Sequence, residues 1–225
     1  MILALALALT AIGYAVVDIA TKAPGRDVVR VEGIATAQQL FGGVPQEGER
    51  LGSADAPVSI QVFADLQCGS CREDFLGTIP ALADRYARPG DAKLLIRHYS
   101  VAQNPLELGF FGAEAAAEQG YGWQYTYLFF RNQDEAEKFG IDEDFLESLA
   151  GSIGELDFEE WRQYLDEEGG SDGAITTTLK GYEKLGVDLG IRTGLGAIVT
   201  GPQGTRTLQD GPSLGQVEGA IEAVS

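Results

Sequence analysis

The chain has 225 residues, of which 44% are hydrophobic, and this size suits one well-filled domain with an appendage better than two independent cores. Its 34 acidic residues against 16 basic ones give a formal net charge of -18, so the surface should repel phosphate backbones, and we expect no nucleic-acid partner. The sequence holds only two cysteines and one histidine, which argues against a framework of several disulfides and against a structural zinc site.

An uninterrupted apolar run opens the sequence. Met1–Val17 carries no charged side chain, and its length lies at the short edge of the roughly 17 to 25 residues that span a bilayer. No basic residue precedes the run, as one would in a cleavable signal peptide. We therefore predict an uncleaved membrane anchor over residues 1–20. Residues 21–50 should be a linker that packs loosely, with at most one short helix around 35–41.

A βαβ unit is predicted from Pro57 onward. Val58, Ile60 and Val62 alternate with polar residues, as in a buried strand. Apolar residues at steps of three and four then predict a helix that begins near the cysteines and packs on the sheet. A second strand within residues 94–101 should run parallel to the first, because a connection of this length makes a crossover. The helical stripe consists of Cys71, Phe75, Ile79, Leu82 and Tyr86.

Helical spacing dominates residues 102–186, where no strand-like alternation appears. Strands return at residues 197–200 and 205–209, on either side of a Gly-Pro-Gln-Gly turn, and predict a hairpin. A closing helix should begin near Pro212. The pattern therefore predicts an α/β domain whose sheet-forming parts are separated by a helical insertion.

The two cysteines, Cys68 and Cys71, stand where the first predicted strand turns into its helix. Unpaired backbone N–H groups and the positive end of the helix dipole favour a thiolate there, so Cys68 is predicted to be the nucleophile. Cys71, one helical turn further in, is close enough to form a disulfide with Cys68 and to resolve a mixed disulfide on it. Gly69 and Ser70 add no charge between them, which leaves the helix terminus and the Ser70 hydroxyl to stabilise the anion.

A CxxC pair has other uses, and two of them stay open from the residues alone. One is a redox-inactive interaction module that keeps a structural disulfide, whose reduction potential would lie below about -300 mV. The other is metal or cluster binding through the exposed cysteines of a dimer, which would show as bound metal in the purified protein. The favoured interpretation is redox exchange, because a single pair at the end of a strand in a βαβ unit is typical of it.

The segment LGSADAPVSIQVFADLQCGSCREDF resembles the first strand and active-site helix of DsbA-like proteins of the thioredoxin superfamily. GYGWQYTYLFFRNQDEA and LGIRTGLGAIVTGPQGTRTLQDGPSLGQVEGAI are similar to the helical insertion and to the C-terminal strand, hairpin and helix of the same group. The resemblance implies an α/β thioredoxin fold, with a central mixed sheet flanked by helices and an inserted all-helical subdomain. Here a hydrophobic helix would precede it. We expect the core at residues 51–101 and 187–225, and the insertion at residues 102–186.

The resemblance also implies a function. It implies a membrane-anchored thiol:disulfide oxidoreductase of bacterial type, acting on reduced or misfolded exported proteins, with a membrane redox partner that recycles the cysteines. No organic cofactor or metal is implied. Lys22, Arg26 and Arg30 follow the apolar run, and a positive-inside count would leave the domain in the cytoplasm. The implied function places it outside, and we expect a single-pass anchor with an extracytoplasmic catalytic domain.

One departure from the family pattern concerns Leu195, which stands where the family has a proline in a cis peptide, facing the cysteines and presenting the preceding backbone to substrate. A non-proline cis bond costs about 2.5 to 4 kcal/mol. We therefore predict a trans bond before Leu195 and a rearranged loop over residues 193–196. We expect Gly194 and Leu195 to bind substrate or to support the site.

A second departure concerns proton transfer. Val62 stands where thioredoxins have a mid-strand carboxylate, and Asp65 is the nearest acid in the sequence. An aspartate between a strand and a helix more often accepts backbone hydrogen bonds in the turn than it serves, through a water, as proton acceptor for Cys71. The single histidine, His98, falls within the second strand and is given no catalytic role.

Overall fold

The computed structural model describes residues 30–100 and 108–225 of the chain. Residues 30–100 hold a first helix, two short strands, two longer ones and a second helix, which begins at Cys71. Six helices follow, then a hairpin and a last helix. In chain order the elements are α1 (Ile34–Phe41), β1 (Gln46–Glu47), β2 (Arg50–Leu51), β3 (Val58–Ala64), α2 (Cys71–Leu82, continued by a π-helical turn over Ala83–Ala87), β4 (Ala92–His98), α3 (Leu108–Glu118), α4 (Gly122–Arg131), α5 (Gln133–Phe139), α6 (Glu143–Gly151), α7 (Phe158–Glu168), α8 (Ala174–Asp188), β5 (Leu195–Gly201), β6 (Gly204–Leu208) and α9 (Leu214–Glu222).

The six strands form one mixed sheet in the order β1-β2-β4-β3-β5-β6. The central strand β3 pairs in parallel with β4 and antiparallel with β5. Its last residue, Ala64, lies opposite both His98 and Leu195. The start of β5 is therefore placed beside the segment that leaves β3, which is where the cysteines follow. The predicted thioredoxin fold, with its mixed sheet and helical insertion, is confirmed.

The predicted membrane anchor over residues 1–20 lies outside the described residues. Among the residues that the structure describes, no helix combines the length and the apolar character needed to cross a bilayer.

Residues 34–51 correct the prediction of a loosely packed linker. The side chain of Phe41 is fully buried, with its ring 6.4 Å from that of Trp123 and 5.9 Å from that of Tyr127. The β1–β2 hairpin extends the sheet beyond β4, and the carbonyl of Glu49 accepts hydrogen bonds from the Ile96 N–H and the Trp123 indole N–H, both at 3.0 Å. Strands of two residues are too short to show an alternation of apolar and polar residues, so the sequence analysis predicted a linker at this place.

Truncating Phe41 should therefore be costly. Phe41→Ala is expected to lower the free energy of unfolding by about 3 to 5 kcal/mol, because a buried ring is lost and a cavity is left. Ile34→Ala, in the same helix but at a position 42% exposed, should change it by less than about 1 kcal/mol. Urea denaturation of both variants gives the comparison, and equal midpoints would show that α1 does not contribute to the core.

The helical insertion shares a continuous hydrophobic core with the sheet. Phe75 of α2 stacks on Phe130 of α4 with the ring centroids 4.5 Å apart. A buried polar contact reinforces this: His98 at the end of β4 lies 2.6 Å from a carboxylate oxygen of Glu114 through Nδ1 and 3.0 Å from the hydroxyl of Thr126 through Nε2. His98 thus has a structural place between the sheet and the insertion, which holds α3 and α4 against the strand that ends beside the cysteines.

Candidate active site

The cysteines lie in a turn between β3 and α2. After Ala64 the chain makes two turns, in which the Cys68 N–H donates to the Asp65 carbonyl at 3.1 Å and the Cys71 N–H donates to the Cys68 carbonyl at 3.0 Å. The helix begins at Cys71, so Cys71 is its first residue and not one turn inside it, as the sequence suggested. Cys68 consequently sits just outside the helix N-terminus, where the helix dipole favours a negative charge.

Cys68 and Cys71 form a disulfide, with their Cα atoms 5.3 Å apart. Cys68 is partly exposed, whereas Cys71 is only 5% exposed. The Ser70 hydroxyl lies 3.4 Å from the Cys68 sulfur, within reach to donate a hydrogen bond to it. Because a thiol–disulfide exchange requires access to the sulfur that is attacked, an incoming thiolate reaches Cys68 and not Cys71.

Gly194 lies directly against this disulfide. A Cβ atom at this position would come within 2.5 Å of both the Cys68 and the Cys71 sulfur atoms, closer than any side chain tolerates. The Gly194 carbonyl accepts a hydrogen bond of 2.8 Å from the Asp65 N–H, which ties the strand that follows to the cysteine turn. The structure thus brings Gly194, Asp65 and the cysteines together, and the need for glycine here is one of space.

Leu195 follows with a trans peptide bond, as predicted. Its side chain is 3% exposed and belongs to the hydrophobic core, where it borders a small void together with Ile79 and Val217. Gly194 and Leu195, which the sequence analysis grouped together, therefore have different environments. Gly194 touches the sulfur atoms, whereas Leu195 supports the loop from within the core.

Asp65 has the turn role that the sequence favoured. It is 6% exposed, and its carboxylate accepts the Gln67 N–H at 2.9 Å. A second acid, Glu183 of α8, lies near enough for the two charges to interact: burial, and then the charge of Asp65, raise the pKa of Glu183 above its ordinary value of 4.5. Burial and then the charges of Glu183 and Asp65 raise the pKa of Tyr99 in the same region. Nothing in the sequence pattern points to Glu183, because its place beside Asp65 arises only when α8 packs on the sheet.

The raised pKa of Glu183 predicts a pH dependence of stability. The folded protein holds this proton more tightly than the unfolded chain does, so stability should fall as the pH rises from the unfolded pKa, near 4.5, through the folded one. Glu183→Gln removes this loss. The urea midpoint of the variant, relative to wild type, should therefore be higher at pH 7 than at pH 4, and Glu222→Gln, at an exposed position, serves as the control. If the urea midpoint of Glu183→Gln relative to wild type falls or stays constant from pH 4 to pH 7, the pKa of Glu183 is not raised in the folded protein.

The insertion makes one contact with the cysteine turn and one with the start of α2, and sequence reasoning missed both. The Gln133 side-chain amide donates a 2.8 Å hydrogen bond to the Leu66 carbonyl, and Arg72 of α2 forms an ion pair with Asp134. An open groove of about 810 Å³ runs past Gly69 and Ser70, between α2 and this part of the insertion. Gln133 and Asp134 fall within the segment whose resemblance marked the helical insertion, but their contacts could not be derived from it.

In residues 30–100 and 108–225, no three side chains among His, Cys, Asp and Glu are grouped to hold a metal ion. The two cysteine sulfur atoms are bonded to each other.

Comparison with known proteins places this site in a family. The sequence profile of the thioredoxin family matches residues 46–187, more than half of the chain. Two curated relatives carry the name "Probable disulfide bond formation protein D": the protein of Bacillus cereus is 27% identical over 120 residues, and that of Bacillus anthracis is 23% identical over 120 residues. Each match covers 52% of this chain and 56% or 55% of the relative, so the chain spans about half the length of the curated relatives it matches.

Solved structures give the same fold. Oxidised BdbD of Bacillus subtilis superimposes with a TM-score of 0.64 at 19% identity, covering 80% of this chain and 95% of that one. The α-DsbA1 protein of Wolbachia pipientis does so with a TM-score of 0.62 at 16% identity, covering 84% and 95%. At this level of identity the likeness establishes the architecture around the cysteine turn.

Proposed function

Since this chain belongs to the thioredoxin family, we propose that it is a thiol:disulfide oxidoreductase that exchanges disulfides with exported proteins through Cys68 and Cys71. The observation that carries the proposal is the asymmetry of the pair: a partly exposed sulfur just before a helix N-terminus, bonded to a buried one. The name of the curated relatives, which refers to disulfide bond formation, favours oxidation of substrates as the physiological direction.

In that direction a substrate thiolate attacks the Cys68 sulfur. A bond forms between substrate and Cys68, the Cys68–Cys71 bond breaks, and Cys71 leaves as a thiolate that takes a proton. A second substrate thiolate then attacks the substrate sulfur of this mixed disulfide and releases Cys68 as a thiolate. The substrate has lost two electrons and gained a disulfide, and the enzyme holds two thiols. The helix terminus and the Ser70 hydroxyl stabilise the Cys68 thiolate and so make it a good leaving group.

Substrate access follows from what surrounds Cys68. On one side the backbone at Gly194 lies directly against both sulfur atoms and covers the disulfide. On the other side the open groove past Gly69 and Ser70 offers room for an extended polypeptide. The proposed substrates are therefore reduced or misfolded chains whose cysteines lie in accessible, extended segments.

Catalysis requires the dithiol to be reoxidised. We propose that a membrane redox partner accepts the two electrons, by the same exchange at Cys68 in the reverse sense. The apolar run Met1–Val17 would hold the enzyme at the membrane where such a partner resides, with the catalytic domain on the extracytoplasmic side.

The location can be tested with the full chain and with a chain lacking residues 1–29, each expressed in a bacterial host. The full chain should sediment with membranes, and external protease should digest its domain in intact spheroplasts. The shortened chain lacks the apolar run and is synthesised in the cytoplasm, so it should be found in the soluble fraction. A full chain that is soluble, or one protected from external protease, would contradict the anchor or its orientation.

The activity itself is tested by mixing the oxidised protein with a reduced, unfolded ribonuclease and following the appearance of its disulfides. A catalytic amount of the protein with an excess of oxidised glutathione should accelerate their formation. A protein that does not accelerate this reaction beyond the rate with oxidised glutathione alone would instead match the redox-inactive module.

A further inference from the structure

The open groove beside the cysteines begins at the reactive sulfur. One of the residues that line it is Ser70, whose hydroxyl lies 3.4 Å from the Cys68 sulfur. From there the groove follows one face of α2, where Ser70, Glu73 and Gly77 succeed one another at steps of three and four residues. All three residues are exposed, so a polypeptide in the groove contacts them directly.

Glu73 carries the uncompensated charge of this groove. Four charged residues line it, and three of them are held in ion pairs. Arg72 pairs with Asp134, and Arg131 pairs with Glu32 at 3.2 Å. Glu73 has no ion pair within the part of the chain that the structure describes. A substrate cation beside Glu73 therefore meets a carboxylate that no cation of the protein already neutralises.

Gly77 leaves room for a polypeptide backbone on α2. Glycine inside a helix is unfavourable relative to alanine. At this position the backbone has an ordinary helical conformation, and no atom of the described residues lies within 4 Å of an added Cβ. The fold itself does not require glycine here. The missing side chain lets an extended substrate lie close against the helix.

The dimensions of the groove relate its residues to positions in a substrate. An α-helix rises about 1.5 Å per residue, which puts Glu73 about 4.5 Å and Gly77 about 10.5 Å beyond Ser70. An extended chain advances about 3.3 to 3.6 Å per residue. When a substrate cysteine reacts at Cys68, the residue about two positions away passes Glu73, and the residue about three or four positions away passes Gly77.

We propose that the groove binds the extended segment beside a substrate cysteine, and that Glu73 selects segments with a lysine or arginine about two residues from that cysteine. The cation pairs with the Glu73 carboxylate, and the substrate backbone lies across Gly77. Naming the segment as substrate rests on the proposed function.

The test compares two peptides of identical composition. Each has a central cysteine, held as a mixed disulfide with nitrothiobenzoate, and two lysines among glycines and serines. The lysines stand two residues from the cysteine on both sides in the near peptide, and five residues away in the far peptide. Both peptides have the same net charge, so the overall charge of -18 attracts them to a similar extent.

The reaction uses the reduced full chain, in excess and in nanodiscs of uncharged lipid. The Cys68 thiolate attacks the cysteine sulfur of the peptide, and the bond to nitrothiobenzoate breaks as the new disulfide forms. The nitrothiobenzoate leaves as a coloured thiolate, whose absorbance gives the rate. Cys71 then attacks Cys68 and releases the peptide as a thiol, which restores the Cys68–Cys71 disulfide.

The near peptide should react roughly 1.5 to 5 times faster than the far peptide, the factor of one exposed ion pair. High salt should remove most of this advantage, because the pair is screened. Glu73→Gln should abolish the advantage at low salt. Equal rates of the two peptides with the wild-type protein, or an advantage that persists in Glu73→Gln, would overturn the proposal.

Asp74→Asn is the matched control. Asp74 belongs to the same first turn of α2, but it does not line the groove, and its carboxylate lies against Gly211. The variant removes the same charge near the helix N-terminus and should keep the advantage of the near peptide. Loss of the advantage in Asp74→Asn as well would trace it to the charge of the helix terminus and would refute selection by Glu73.

A second pair of variants tests the path of the substrate. Gly77→Leu should slow both peptides but not the nitrothiobenzoate disulfide of cysteamine, which has no neighbouring residues. Gly219→Leu, at an equally open position in α9, should slow neither peptide. Peptides that react with Gly77→Leu as fast as with wild type would show that the substrate does not cross α2 at this point.

The same rates separate this proposal from the general function. If both peptides react rapidly and at equal rates, the exchange activity stands and selection by Glu73 fails. If neither peptide reacts faster with the protein than with free glutathione, the oxidoreductase fails, and the proposal fails with it.

Discussion

Cys68→Ala should abolish disulfide exchange with protein substrates, whereas Cys71→Ala should still attack and should accumulate mixed disulfides. The reason is the difference in access. The Cys68 sulfur is partly exposed at the helix N-terminus, while Cys71 is 5% exposed behind it. Without Cys71, a substrate bound to Cys68 has no internal thiol to displace it, so the intermediate persists.

The measurement is thiol trapping of reduced variants with a disulfide-bearing substrate, followed by non-reducing electrophoresis and mass spectrometry. Ser70→Ala provides the control, because it removes one hydrogen bond to the Cys68 sulfur and leaves both thiols. It should exchange more slowly than wild type without trapping substrate. Equal trapping by Cys68→Ala and Cys71→Ala would show that the roles of the two thiols have been assigned wrongly.

Gly194→Ala should destabilise the oxidised protein by about 1 to 3 kcal/mol, the usual cost of forcing an extra methyl group into a filled space. The new Cβ would lie 2.5 Å from both sulfur atoms and 2.8 Å from the Cys68 Cβ. The loop must then move away from the cysteine turn, which should weaken the hydrogen bond from the Asp65 N–H to the Gly194 carbonyl. Urea denaturation measures the first effect, and hydrogen exchange of the Asp65 amide measures the second.

Gly219→Ala is the matched control. At this position in α9 no atom of the described residues lies within 4 Å of the added Cβ, and alanine in a helix interior is favoured over glycine by up to about 1 kcal/mol. The control should therefore stabilise the protein. If Gly194→Ala were equally stabilising, the close approach of the loop to the disulfide would not exist in solution.

The sequence predicted those parts of the fold that repeat a recognisable pattern. The alternation along β3 and the stripe on α2 located the βαβ unit, and the resemblance of three segments supplied the rest; both the DsbA-like resemblance and the thioredoxin fold are confirmed. The β1–β2 hairpin was missed because two-residue strands leave no periodicity. Its membership in the sheet depends on contacts of Glu49 with Ile96 and Trp123, which are distant in the chain.

The sequence predicted the chemistry of the candidate site, but it did not predict the contacts that surround the two cysteines. Cys68 and Cys71 are recognisable because their function needs those residue types at that spacing. The reason for glycine at position 194 is a distance to two sulfur atoms, and a sequence carries no distances. Glu183 and Gln133 likewise acquire their places only when helices of the insertion pack on the sheet and on each other.

The central claim is that Cys68 and Cys71 are a working redox couple, and the reduction potential tests it most directly. The full chain is equilibrated with glutathione buffers of graded ratio, and the fraction of oxidised protein is read after rapid thiol alkylation. An exchanging pair should reach equilibrium readily and give a potential above about -300 mV, in the range of disulfide-exchanging enzymes. A disulfide that resists every buffer, with a potential below about -300 mV, would be a structural bond and would contradict the account.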